Sequence, residues 1–163
     1  MYRLIATSLA VLILVACEPR DRTPGTWLSG ELVTTQITDW SFTNDYQEVF
    51  IETKPWYGIP FSVTVVMTTV NGKIYSPSIY SEPAEFPGNK YWNKVIAANP
   101  KVRVQIGDHL YPRQARLVTD ATEFETAFEA LAVKYPFWRA AKDNPEKRPA
   151  FVLICMDEIK ADI

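Results

Sequence analysis

From Phe61 the chain alternates in side-chain character: Phe61, Val63, Val65 and Met67 fall on one face, and Ser62, Thr64, Val66 and Thr68 on the other. A period of two with many β-branched residues is the signature of a strand. Asn71-Gly72 follows, the dipeptide that best tolerates the two positive φ angles of a tight hairpin turn, and Lys73 to Tyr80 returns as the partner strand. A chain carrying this hairpin is committed to an antiparallel sheet. Five Trp, eight Tyr and eight Phe, with twelve Pro and only six Gly, agree with a β-rich body whose strand ends are sharply marked. The 163 residues, 47% apolar and 22% charged, suffice for one globular domain.

The remaining segments supply more strands and a few helices. Glu48 to Thr53 is β-prone and ends at Lys54-Pro55, and Trp56-Tyr57-Gly58-Ile59-Pro60 is a turn carrying an aromatic pair. Ser81 to Asn89, with two prolines and a glycine, reads as a loop. Trp92, Val95 and Ile96 follow helical spacing until Asn99-Pro100, where the residue before proline resists the α conformation. Val102, Val104 and Ile106 alternate with Arg103 and Gln105 as a strand, Arg103 being expected to face outward, and Gly107-Asp108 turns the chain into a longer strand, His109 to Thr119. Pro112 within it suggests an edge or a bulge, and Arg116 is expected to face solvent. Asp120 with Glu123 forms a capping box for a helix whose stripe is Phe124, Ala127, Phe128, Leu131, Ala132 and Tyr135. Pro136 is expected to end it, with Phe137-Trp138 packed at its end. Ala150 to Ile159 is apolar on both faces and therefore expected to be a central strand. The expected architecture is mainly β with peripheral helices, the antiparallel sheet closing into a small barrel.

The amino terminus stands apart. Residues 1–16 contain one charge, Arg3, and an apolar run from Leu4 to Leu14 broken only by Thr7 and Ser8. That run is shorter than the ~20 residues a spanning helix needs and reads as a secretory signal, with small Ala16 beside the cut. Leu14-Val15-Ala16-Cys17 also resembles the bacterial lipobox, in which the thiol is joined to diacylglycerol and becomes the first mature residue. An ordinary signal peptide and an uncleaved anchor are the alternatives. Residues 17–26 then form a tether, and 27–163 the domain. Glu18 rather than Asp after the cysteine points to the outer membrane, facing the periplasm. The lipid on Cys17 makes a membrane the first expected partner and leaves Cys155 without a disulfide mate, a small buried hydrophobe in Phe151 to Met156.

Several chemistries have no support. A formal charge of −2 with dispersed Lys and Arg argues against nucleic acid. His109 is the only histidine, so no His-rich metal site is available and no metal is expected. A serine triad would have to use His109, and the chain has no Gly-x-Ser-x-Gly elbow. Glycine-rich phosphate loops are absent as well.

The Asn71-Gly72 hairpin with Tyr75, then Trp92-x-x-x-Ile96-x-x-Asn99-Pro100-x-Val102-x-Val104, then Tyr111-x-x-x-Ala115-x-x-Val118-x-Asp120 and an amphipathic helix, resembles the flavin-binding split β-barrels. That superfamily includes pyridoxamine 5'-phosphate oxidase-like and deazaflavin-dependent nitroreductase-like proteins. The resemblance runs from about Asp39 to Ile159. It implies a split β-barrel of antiparallel strands and FMN or a related flavin, with the ring often at a homodimer interface. The matching cofactor-binding positions are Ser62 and Thr64 on the first hairpin strand, Ser76 and Ser78 on the second, and Lys90 to Trp92 at the start of the short helix. Hydroxyls and a cation can balance a phosphate, and Trp92 can stack on a ring. Lys90 also reads as a solvated residue and Trp92 as core, since Trp92 shares a face with Val95 and Ile96. Two functions stay open: a lipid-anchored flavin oxidoreductase acting on a small acceptor, and a cofactor-free binding or envelope-associated module.

Overall fold

A computed structural model describes residues 25–81 and 85–159, so the signal, Cys17 and most of the tether lie outside the described residues. Eight strands form one sheet: β1 Glu31–Leu32, β2 Val49–Thr53, β3 Phe61–Val65, β4 Thr68–Val70, β5 Lys73–Tyr80, β6 Lys101–Ile106, β7 His109–Leu117 and β8 Ala150–Glu158. Its order is β3-β2-β6-β7-β8-β5-β4, every pairing on that path being antiparallel, with β1 added in parallel to β7. The two edge strands, β3 and β4, are consecutive in the chain and only Val66 and Met67 lie between them. The sheet therefore curls until its edges approach each other, a barrel left split along one seam.

Among the described residues three α-helices flank the sheet: α1 Tyr91–Ala98, α2 Ala121–Lys134 and α3 Pro136–Asp143. Inside the curl lies a core built from Val49, Ile51, Ile74, Val104, Ile106 and Met156, closed by Trp92 and Ile96 of α1. A second core lies outside, where Phe128 and Leu131 of α2 and Trp138 of α3 cover Tyr75, Leu153 and Cys155. Strand β8 runs between β5 and β7 with a core on each face, which is why it is apolar on both.

The alternating run from Phe61 is not one strand. Its first half pairs with β2, and only Thr68–Val70 pairs across the Asn71-Gly72 turn with β5. The break has a local cause. Met67 is fully buried, its N–H donates to the Tyr135 hydroxyl at 3.2 Å, and that hydroxyl has the Met67 and Gln47 carbonyls within 2.8 and 2.9 Å as acceptors. A side chain thus takes the ladder groups that a neighbouring strand would use. Ser62 and Thr64 consequently do not stand opposite Ser76 and Ser78, whose partners are Ile154 and Val152 of β8.

Other expectations are corrected by packing. Pro112 lies in a central strand, but β1 covers β7 only at His109 and Leu110, and β8 begins its pairing at Arg113. The proline sits in the gap, where no ladder donor is needed on that side. Asp120 caps α2 by accepting the Glu123 N–H at 2.7 Å, while the Glu123 carboxylate, instead of closing a capping box, is engaged by Arg116 and Tyr75. Pro136 ends α2 and also starts α3, since its missing N–H costs nothing in a first turn. Trp138 is buried there, but Phe137 is exposed.

Candidate cofactor site at the junction of β5 and α1

Ser76, Ser78 and Tyr80 alternate with Pro77 and Ile79 and share the inner face of β5 with Ile74. Helix α1 begins beside them: Lys90 occupies its cap position without a side-chain cap bond, and Trp92 and Asn93 turn toward the sheet. Asn93 is the central group. Its Nδ2 donates to Ser78 Oγ at 2.9 Å and to the Tyr80 hydroxyl, and that hydroxyl in turn donates to the Pro87 carbonyl at 3.4 Å. The Lys90 ammonium lies 5.8 Å from the centre of the Tyr80 ring, and burial lowers its pKa. Four of the six positions expected from sequence, Ser76, Ser78, Lys90 and Trp92, thus gather around one junction.

Two polar atoms of this cluster lack a partner among the described residues: Ser76 Oγ and Asn93 Oδ1, both fully buried. Leaving such groups unpaired costs on the order of 1–3 kcal/mol each. They are of the kind a flavin would satisfy, since its ring edge and ribityl chain offer both donors and acceptors and its phosphate would suit the cation at Lys90. Trp92 is 8% exposed and packs into the inner core, the position its shared face with Val95 and Ile96 favours.

Ser62 and Thr64 sit elsewhere. Both belong to the outer face of β3, opposite in phase to the inward Phe61, Val63 and Val65. Ser62 is buried beneath the incoming chain, its N–H donating to the Gly25 carbonyl at 3.1 Å. Its register partner Glu52 is buried too, accepting the Leu28 N–H at 2.6 Å and a two-pronged contact from Arg103 at 2.8 and 2.7 Å. Arg103 thus holds the amino-terminal segment against the sheet through Glu52.

A second charged cluster lies beside the hairpin turn, where its members Lys73, Arg116 and Asp157 also line a groove of about 920 Å³. Arg116, expected in solvent, bonds Glu123 at 2.6 and 2.9 Å and Asp157 at 2.7 Å; Tyr75 donates to Glu123 at 2.8 Å and Lys73 approaches both carboxylates. The hydrogen bonds from Arg116 pull the Glu123 carboxyl down to about 2, against desolvation. Burial, with the Asp157 charge adding to it, pushes the Cys155 thiol up to about 12, so it is no thiolate at neutral pH. Since its cations are already matched by carboxylates, this cluster is a structural clasp between β5, β7, β8 and α2.

Sequence reasoning missed Asn93 and Tyr80. The signal for Asn93 was present: an amide set next to Trp92 on a helix whose buried face is otherwise apolar. His109 contributes nothing to this junction; it lies half-exposed at the start of β7, 3.7 Å from the Glu31 carboxylate.

No family model and no curated protein matches the chain. Solved structures do. A putative pyridoxamine 5'-phosphate oxidase from Listeria innocua aligns over 74% of this chain and 90% of its own, with a TM-score of 0.52 and 19% identity. This chain has the split β-barrel fold. The heme storage protein HutZ from Vibrio cholerae shares the split barrel at a TM-score of 0.52 and 9% identity, over 74% of this chain and 87% of its own. A third split-barrel neighbour, described as a domain-swapped dimer, reaches 0.54 and 23% identity over 68% and 80%.

Proposed function

We propose that this protein is a bacterial envelope lipoprotein that holds a flavin, FMN or a close relative, at the β5–α1 junction and acts as an oxidoreductase toward a small acceptor. The observation that carries the cofactor reading is the pair of unpartnered buried groups, Ser76 Oγ and Asn93 Oδ1, beside a half-buried Lys90. The names of two neighbours of the same fold support it in kind, one a putative oxidase of a pyridoxamine phosphate and the other a heme protein. Ser76 and Asn93 would bond the cofactor's polar edge and Lys90 its phosphate, with Ser78 and Tyr80 holding the Asn93 amide in place. The flavin supplies hydride or electron transfer, and the protein orients it. Because Ser76 and Asn93 are sealed from solvent, a ligand reaching them displaces side chains that now cover them. The domain-swapped neighbour supports a homodimer as the assembled state. The lipobox at Leu14 to Cys17 and the Glu18 that follows support an outer-membrane position facing the periplasm.

The test uses residues 18–163, which retain every described element. Purified protein incubated with FMN or FAD and desalted is expected to keep flavin, seen as visible absorbance, on the order of one per chain. Ser76→Ala and Asn93→Ala are each expected to weaken retention by about tenfold, the worth of one hydrogen bond to a charged or well-buried group. A colourless wild type ends the oxidoreductase reading. The complete burial of Ser62, Ser76 and Ser78 favours what would then remain, a cofactor-free envelope module.

A further inference from the structure

Among the described residues the most exposed aromatic side chain is Trp56. Trp56, 95% exposed, Tyr57 and Tyr91 stand together on the surface where the 54–60 turn meets the outer side of α1. They form one patch: the Trp56 and Tyr57 rings meet edge to face at 5.6 Å, Tyr91 and Tyr57 are joined through their hydroxyls at 3.1 Å, and Tyr91 packs edge-on against Phe61 at 5.6 Å. A groove of about 590 Å³ crosses the patch, lined by apolar atoms, Asn99 and two lysines, Lys54 and Lys94, with no carboxylate. Exposing this many large rings in water is unfavourable unless something covers them.

The incoming chain points to what that cover is. Gly25 bridges to Ser62, so the polypeptide enters the fold beside Phe61, at the border of the patch. Cys17 precedes Gly25 by eight positions, a reach of about 28 Å at full extension. A lipid on Cys17 therefore keeps this face within a short distance of a bilayer. Trp and Tyr with flanking lysines are the side chains that settle at a membrane interface, rings among the headgroups and ammonium groups on lipid phosphates. An isologous contact with a second copy would instead gather both copies' Lys54 and Lys94 in one interface whose groove offers no carboxylate to match them.

We propose that the Trp56–Tyr91 face is a bilayer-docking surface: it lies on anionic phospholipid and fixes the orientation of the domain on the membrane to which the tether holds it. The choice of a bilayer rests on the lipid-anchored reading of Cys17, but the contact itself can be measured without the lipid. Residues 18–163 are mixed with vesicles of phosphatidylethanolamine and phosphatidylglycerol at 3:1, and with phosphatidylcholine vesicles. The expected result is cosedimentation with the anionic vesicles, a blue shift of tryptophan emission, and weaker binding to phosphatidylcholine. Trp56→Ser and the Lys54→Glu, Lys94→Glu pair lie on the surface, so folding is retained, and each is expected to lower the vesicle partition coefficient by about tenfold or more. Unchanged binding by Trp56→Ser overturns the proposal, as does a wild type that ignores anionic vesicles. A wild-type dimer that ignores vesicles and that Trp56→Ser dissociates assigns the face to a second copy and likewise overturns it. Palmitate labelling of the full precursor and its Cys17→Ser variant reads lipidation separately, so loss of the anchor reading and loss of the docking surface give different results.

Discussion

At the scale of single residues the fold rests on a few side chains whose charge or proton has one assigned place. Glu123 is the clearest. It begins as the third residue of α2, yet its carboxylate serves the sheet, receiving Arg116 and Tyr75. With its carboxyl held near 2 and an unfolded value near 4.3, the stability it contributes is complete above about pH 5 and is lost as the pH falls toward 2. Glu123 is one-fifth exposed and Arg116 38%, so screening reduces the contribution to about 1–2 kcal/mol. Glu123→Gln is therefore expected to lower the urea-unfolding free energy by about that amount at pH 7 and to match wild type near pH 2. A deficit of equal size at both pH values would mean that the carboxylate's charge plays no part. Sequence pattern placed Glu123 beside Asp120 correctly but not its partner, because Arg116 is held by residues that lie up to 41 positions away.

Elements are where local sequence speaks most directly. The β4–β5 turn has Asn71 at φ 52° and Gly72 at φ 77°, the two positive angles that Asn-Gly was expected to supply. A Cβ on Gly72 would meet only Trp40 Nε1 at 3.7 Å, an ordinary contact, so substitution there is a test of backbone alone. Gly72→Ala is expected to cost about 1–2 kcal/mol and Asn71→Gly to be close to neutral, read as shifts in denaturant midpoint at constant slope. Equal costs for the two would show that side-chain contacts, and not φ, set the turn. The apolar stripe of α2, the Asn99-Pro100 stop and the two-faced β8 were legible for the same reason: each depends on periodicity or on backbone sterics within a few residues.

For the whole molecule the decisive point is the seam. One chain segment supplies both sheet edges, and the Tyr135 hydroxyl, from the end of α2, sits on the residue where they divide. It bonds Met67 and has Gln47 within reach, so one group ties the helical layer to the opening of the barrel. Tyr135→Phe leaves the buried Met67 N–H and carbonyl without that partner. The expected loss is about 1–3 kcal/mol, with faster amide exchange at Met67 than in β8. A stability loss without faster exchange at Met67 would place the effect in packing instead.

The sequence by itself determined strands β2 and β5 to β8, the hairpin turn, the helix that stops at Asn99-Pro100 and the likeness to a split barrel, because alternation, turn chemistry and caps act over one to four residues. It also brought Ser76, Ser78, Lys90 and Trp92 to notice. Only the tertiary structure decided that the Phe61 run divides between two edges, that Ser62 and Thr64 face away from the β5–α1 junction, that Arg116 is clasped by Glu123 and Asp157, and that Asn93 is the group around which the junction is built. The physical reason is common to all four. Which face a residue presents is a matter of local phase, whereas what that face meets depends on strand order and curl, and these bring together residues with no periodic relation in the chain.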